Sequence, residues 1–246
     1  MSSLQPLDLN SIPDIGMDPL RYCLREKIIK DSGLWLEFGV WEGHTLDLIS
    51  QHTENTVYGF DTFSGVDTDW SGTPSGSMKS FDIGGSPPAQ LIPIDPEVRY
   101  GPNTGSKRPF KNNVKFITGL FCDTLPRFLK VQQSTTPNVD ISFLHIDCDI
   151  YESTMDIFRN CAPFISSGCI VVFDELVNYQ GYQEHELRAF TEFIDSTSFS
   201  FEWVGMDGHV WSDLKLQELG NYEDLDEKRQ EWAKNNMTFS VAVRLI

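Results

Sequence analysis

Short apolar runs alternate with amphipathic stretches along most of the chain. The first run is Leu34-Trp35-Leu36-Glu37, followed by a glycine turn and a helical pattern near residues 44–51. Thr56–Asp61 is the second run, Asn113–Thr118 the third, Asp140–Asp147 the fourth and Cys169–Asp174 the fifth. Helical patterns over about 123–132, 152–162 and 182–195 follow the last three. A leading helix is predicted from Asp18-Pro19, an N-cap acid with proline at the first helical position. Leu20, Cys23, Leu24 and Ile28 then share one face. Residues 1–16 read as a loose arm. Ser200–Val204 and Thr238–Leu245 read as strands without a packed crossover helix between them, an antiparallel pair at one sheet edge.

Strands that read as near-continuous apolar runs belong to parallel sheets covered on both faces. Right-handed crossovers wind such a sheet doubly. The predicted fold class is therefore α/β, a Rossmann-like doubly wound, mostly parallel sheet with helices on both faces, in one domain over residues 1–246. Two segments break the alternation. Residues 62–112 form a long inserted loop rich in Gly, Pro, Ser and Asp, predicted to be a mobile, substrate-facing lid. Residues 211–236 form an acidic insert, read as a solvated face.

Charge and cysteine usage narrow the partners. With 19 basic and 36 acidic side chains the net charge is −17. Such a chain repels phosphate backbones and anionic membrane surfaces, so neither nucleic acid nor membrane is an expected partner. No apolar run approaches a membrane span, and the N-terminus has no basic-then-apolar signal pattern. The five cysteines are scattered and form no CxxC pair, which suits reduced thiols and a cytoplasmic location. The oligomeric state stays open, a homo-oligomer included.

In open α/β sheets ligands bind beyond the carboxyl ends of the strands, where strand order reverses. Glu37, Asp61, Asp147 and Asp174 end the first, second, fourth and fifth runs, which places four acids on one rim. The first turn, Glu37 to Gly43, reads ExGxxxG, and its glycines allow close backbone approach to a ligand. The dinucleotide fingerprint GxGxxG is absent, and an acid two residues before Gly39 would repel a pyrophosphate. That disfavours a dehydrogenase and suits a ligand bearing an amine and a positive charge. Asp61, roughly twenty residues after Gly39, can accept both ribose hydroxyls of a nucleoside.

The segments LEFGVWEG, VYGFDTFSGV, FITGLFCDTLPRFL, FLHIDCDIYEST and IVVFDELVNYQGYQEHE, in that order, resemble class I S-adenosylmethionine-dependent methyltransferases. The nearest likeness is to the macrocin O-methyltransferase branch of sugar and natural-product O-methyltransferases. It covers roughly residues 33–63, 113–206 and 238–245. The resemblance implies a seven-stranded sheet, six strands parallel and one antiparallel, in the order 3-2-1-4-5-7-6. It implies that Glu37, Gly39 and Gly43 line the methionine side of the cofactor S-adenosylmethionine, with Thr45 opening the next helix. Asp61 would take the ribose, and Thr62 and Phe63 would lie near the adenine.

The same branch carries D-x-D after its fourth strand and D-D after its fifth. Its first Asp and the later pair bind a metal, and the second Asp of D-x-D is the proposed base. Carried over, Asp147, Asp174 and Glu175 form the set for Mg2+ or another divalent cation, and Asp149 is the base. Glu175 departs from the pattern, standing where the branch has Asp; its longer arm leaves direct binding, binding through water and no binding open. Asp147 could instead face the cofactor's amino group.

His145 reads as a core histidine, and His185 as lying off the site. For Trp41, Tyr151, Tyr179 and Tyr182, lining an acceptor and plain packing both stay open. The expected activity is metal-dependent methyl transfer from S-adenosylmethionine to a hydroxyl of a small hydroxylated acceptor, a sugar or natural product. The alternatives are a metal-independent N- or C-methyltransferase and a cofactor-binding module without turnover.

Overall fold

The computed structural model describes residues 7–41, 43–65, 99–100, 107–108, 110–179, 181–208 and 240–246. Seven strands form the main sheet: β1 (Leu34–Phe38), β2 (Val57–Asp61), β3 (Val114–Thr118), β4 (Ile141–Ile146), β5 (Ile165–Phe173), β6 (Phe201–Met206) and β7 (Val241–Leu245). Their order is β3-β2-β1-β4-β5-β7-β6, as expected. β1 to β5 pair in parallel, and β7 runs antiparallel to both β5 and β6. A two-residue ribbon pairs Arg99–Tyr100 with Lys107–Arg108.

Side chains alternate between the sheet's two faces, and both faces are apolar. Leu36, Phe38, Leu144, Ile146, Val171 and Phe173 pack under α3 (Phe121–Thr135), α4 (Tyr151–Cys161) and α5 (Glu186–Ser196). Trp35, Phe143, Ile170 and Val172 face α1 (Pro19–Arg25) and α2 (His44–Gln51). Asp18 caps α1 as predicted, its carboxylate accepting from the Arg21 amide at 2.8 Å. β5 starts at Ile165, four residues before the apolar run, because Ser166–Gly168 carry the strand across a register irregularity beside β4. The helix expected from 182 divides into a single 3-10 turn, Tyr182–Glu184, and α5.

The arm departs from expectation where it is described. The Ile15 amide donates to the Met206 carbonyl at 2.8 Å, and the Met206 amide donates to the Pro13 carbonyl at 2.9 Å. Edge strand β6 would otherwise leave those outer backbone groups unpaired, so the arm is fastened rather than loose. Most of the inserted loop, including residues 66–98, and the whole acidic insert 211–236 lie outside the described residues, and the lid expectation lies there with them. Among the described residues no helix is long and apolar enough to cross a membrane. All five cysteines are unbridged; Cys23, Cys161 and Cys169 are buried, and burial pushes the Cys23 thiol up to about 12.

Candidate active site

The parallel ladder continues past the strand ends and levels the acids at one rim. The Gly39 amide donates to the Phe60 carbonyl at 2.9 Å, Asp147 to Phe38 at 2.8 Å, and Asp174 to Ile146 at 2.9 Å. A cavity of about 390 Å³ opens there, lined from the turns after β1, β2, β3, β4 and β5. It straddles β1 and β4, the point where strand order reverses, as ligand sites in open α/β sheets do.

Gly39 adopts φ +87°, and a Cβ there would stand 1.6 Å from the Asp147 carbonyl oxygen. Only glycine lets the first turn pass this close to the turn after β4. Gly43, at φ +74°, is the N-cap of α2 and is closed off by the Phe110 ring, 2.7 Å from where its Cβ would be. Four residues with side chains also take left-handed backbone just beyond strand ends: Trp41 (φ 45°), Phe63 (57°), Asp149 (67°) and Asn178 (72°). Such conformations cost of order 1–3 kcal/mol each and gather at functional rims.

Asp61 ties the turns after β1 and β2 together at the cavity. Its Oδ2 accepts from the Val40 and Trp41 amides at 2.7 and 2.9 Å, and its Oδ1 from the Phe63 amide at 2.6 Å. A carboxylate has about four lone-pair directions, so Asp61, which lines the cavity, keeps capacity for a further donor. Glu37 lies one layer deeper and is fully buried. Its Oε1 accepts from the Thr45 hydroxyl and stands 3.3 Å from His145 Nδ1; its Oε2 has no partner among the described residues. Parallel pairing sets Glu37 and His145 side by side on β1 and β4. Burial pushes the Glu37 carboxyl up, opposed by the His145 hydrogen bond and charge. Burial would lower His145, but the Glu37 hydrogen bond and charge, together with the charges of Asp174 and Asp18, outweigh it, and the imidazole rises.

The acids on the other side converge. Asp147, Asp149 and Glu175 each bring an oxygen within 4.8 Å of the other two, and Asp147 also shares such a group with Glu37 and His145. Asp174 lines the cavity but stands outside both groups, its Oδ1 accepting from the Ser240 hydroxyl at 3.2 Å. Burial, then the charges of Asp174 and Asp149, holds Asp147 well above the usual carboxylate range. Burial, then Asp147 and Asp174, does the same to Glu175. Burial raises Asp149 too, opposed by its hydrogen bond with Glu175. Carboxyls this close cannot all ionise without a proton or a cation between them. Hard-oxygen donors, Asp149 buried and Asp147 and Glu175 half-buried, with Glu175 Oε2 unpartnered among the described residues, fit a divalent cation of the magnesium kind.

Of the residues expected on the cofactor side, Gly39, Thr45, Asp61 and Thr62 line the cavity. Glu37, Gly43 and Phe63 support it from behind; the Phe63 ring packs edge-on to Phe116 in the apolar layer. Among the four aromatics only Trp41 lines the cavity, and it is 48% exposed. Tyr179 and Tyr182 are core residues, and the Tyr151 hydroxyl donates to Glu192 at 2.7 Å. His185 stacks on Tyr179 away from the cavity. Sequence reading missed His44, Leu120, Phe121, Ile150 and Ser153 in the lining. Leu120 and Phe121 had a signal: apolar residues directly after Gly119, at the rim end of β3.

Known proteins place the chain. The 8-demethyl-8-(2,3-dimethoxy-alpha-L-rhamnosyl)-tetracenomycin-C 4'-O-methyltransferase of Streptomyces olivaceus is 29% identical over 172 residues, 65% of this chain and 59% of that protein. Demethyldecarbamoylnovobiocin O-methyltransferase of Streptomyces niveus is 29% identical over 173 residues, with the same two shares, 65% and 59%. The chain thus spans 59% of the length of these two relatives. The crystal structure of a calicheamicin methyltransferase superposes with a TM-score of 0.49 at 21% identity, over 73% of this chain and 71% of that one. The family model described as macrocin-O-methyltransferase (TylF) matches residues 10–206, and the chain belongs to that family.

Proposed function

We propose that the protein transfers the methyl group of S-adenosylmethionine to a hydroxyl of a small hydroxylated molecule, a sugar or natural product, with a divalent cation at the acidic end of the cavity. The observation that carries this reading is one cavity bordered both by the ExGxxxG turn with Asp61 and by the Asp147–Asp149–Glu175 group. Both relatives named above are O-methyltransferases by name, one of them on a rhamnosylated tetracenomycin.

Asp61 takes the ribose hydroxyls, while Thr62, Leu120 and Phe121 border the base. Thr45 and, through it, Glu37 hold the amino-acid end, and the acidic rim suits a cationic sulfonium. Transfer is an in-line displacement: the acceptor oxygen bonds to the methyl carbon, the carbon–sulfur bond breaks, and sulfur leaves as a neutral thioether. The methyl donor is already activated, so positioning and proton removal are the protein's task. Asp149 accepts the hydroxyl proton. A divalent cation held by Asp147 and Glu175, with Asp174 beside them, would lower the pKa of that hydroxyl. The net charge of −17 favours a neutral or cationic acceptor over a polyanion, and the five unbridged cysteines suit the cytoplasm.

The test is turnover of S-adenosylmethionine over a panel of hydroxylated and amine-bearing acceptors, with and without chelator, read by product mass. O-methyl products that vanish with chelator and return with Mg2+ support the proposal. Products methylated only on nitrogen or carbon would reject the acceptor class, and full rates in chelator would reject the cation.

A further inference from the structure

His145 is fully buried on β4 among the apolar residues Phe143, Leu144 and Ile146. A polar ring at such a place is costly unless it is hydrogen-bonded, and an apolar side chain would be the ordinary solution. Its neighbour across the parallel pairing is Glu37 on β1, equally buried. Trp35 and Phe143, two residues earlier on each strand, belong to the layer under α1 and α2. Glu37 and His145 therefore project to that same face, where the first turn of α2 brings Thr45 to them.

The hydrogen bonds there run one way. The Thr45 hydroxyl donates to Glu37 Oε1, and His145 Nδ1 stands 3.3 Å from the same oxygen. A carboxylate only accepts, so Nδ1 carries the proton of that bond. Donors from α2 and β4 thus fix Oε1 and leave Oε2, which has no partner among the described residues, as the oxygen to receive a further donor. The proton of the Thr45 hydroxyl points to Glu37, so toward the cavity, which Thr45 lines, that hydroxyl can only accept. Asp147, another lining residue, brings an oxygen within 4.8 Å of the corresponding atoms of Glu37 and His145. Glu37 is therefore flanked by two residues of the cavity wall, and what the group offers a ligand is acceptors. That suits an ammonium and disfavours a carboxylate.

We propose that His145 is a positioning residue for the amino-acid end of the cofactor: its Nδ1–H holds the Glu37 carboxyl in the orientation that turns the Thr45 proton inward and leaves Oε2 open, so that the cofactor's ammonium meets acceptors alone. This rests on the reading of the cavity as an S-adenosylmethionine site. His145 does not line the cavity and acts through Glu37. Its effect is confined to the amino-acid end, because the same reading gives the ribose to Asp61 and the base to Thr62, Leu120 and Phe121, at the ends of β2 and β3.

The experiment is calorimetric titration of the full chain with S-adenosylhomocysteine and with 5'-methylthioadenosine, which keeps adenine, ribose and sulfur but has no amino-acid end. Wild type is compared with His145→Phe and His145→Leu, which remove the donor, and with His145→Asn, whose amide nitrogen can stand near the place of Nδ1. Glu37→Gln is measured with and without His145→Leu. The Phe and Leu proteins should bind S-adenosylhomocysteine about tenfold or more weakly, the scale of one hydrogen bond to a charged group, and should keep wild-type affinity for 5'-methylthioadenosine. His145→Asn should recover part of the loss, and His145→Leu should add little to Glu37→Gln. Unchanged S-adenosylhomocysteine affinity in both donor-less proteins would overturn the proposal. Equal losses of the two ligands, or losses that simply add in the double variant, would overturn it too, because they mark a general loosening of the fold. Failure of the wild type itself to bind either ligand would overturn the cofactor reading beneath it, a separate and recognisable outcome.

Discussion

Gly39 and Asp147 meet backbone to backbone: a Cβ on Gly39 would lie 1.6 Å from the Asp147 carbonyl oxygen. The glycine turn after β1 and the acid-bearing turn after β4 are thus fitted to each other across the β1–β4 boundary. Neither a rotamer change nor a small shift of a flexible side chain can make room for a methyl group there.

Gly39→Ala should therefore destabilise strongly. The left-handed backbone alone costs about 1–3 kcal/mol, and the clash adds to it. Gly181→Ala is the control, because Gly181 has φ +83° but nothing within 4 Å of its added Cβ. Urea unfolding should show Gly39→Ala losing clearly more stability than Gly181→Ala. Equal losses would mean that the close approach to Asp147 contributes nothing.

Asp61 binds three backbone amides with two oxygens. Asp61→Asn turns one oxygen into a donor facing those amides. Hydrogen bonds to a charged group contribute about 1.5–3 kcal/mol, so calorimetry should show S-adenosylmethionine binding weakened by about tenfold or more. Wild-type affinity in the variant would remove Asp61 from the cofactor site.

Removing residues 1–15 takes away the two backbone bonds to Met206 and uncovers the core around Ile12, which is 9% exposed. Burial of one such side chain is worth about 1.5–3 kcal/mol, and an edge strand left open invites association between molecules. The truncated protein should unfold at lower denaturant and aggregate more readily on heating. An unchanged midpoint would show the arm to be dispensable.

The strands were legible because β1, β4 and the end of β5 are buried on both faces and leave apolar runs in the chain. Their acids were legible because the ladder stays in register to the rim. The arm was not, because its tie to Met206 is made by backbone groups far apart in sequence, which carry no residue signature. The burial of Glu186, the first residue of α5, was hidden among the polar residues of QEHELRAF, where one buried acid looks like any solvated one. The place of Glu37 beneath the cavity depends on which layer faces the ligand, and a residue pattern does not record that depth. Asp174 shows the same gap: its neighbour Ser240, on the approach to β7, could not be foreseen from the D-E motif.

Buried thiols give the protein an alkaline limit. Burial, aided by Asp18, holds Cys23 at about 12, and burial raises Cys161 and Cys169 as well. An unfolded thiol titrates near about 8.5, so between these values the folded chain retains protons that the unfolded chain releases. Their contribution is whole below about pH 8.5 and is lost as pH rises toward 12. The unfolding free energy from urea titration should be lower at pH 10 than at pH 8, by about 1–2 kcal/mol per buried thiol. In native protein at neutral pH, a thiol reagent should label the exposed Cys122 first.

Methyl transfer by the Asp149→Asn protein, measured beside its affinity for S-adenosylmethionine, tests the central claim most directly. Asp149 sits at φ 67°, a conformation that Asn adopts readily, so the substitution keeps the turn and removes only the capacity to take a proton. With the hydroxylated acceptor that the wild type methylates, turnover should fall by on the order of 10²–10⁴ while cofactor affinity stays nearly intact. Turnover at the wild-type rate would contradict the assignment of Asp149 as the base that prepares the hydroxyl.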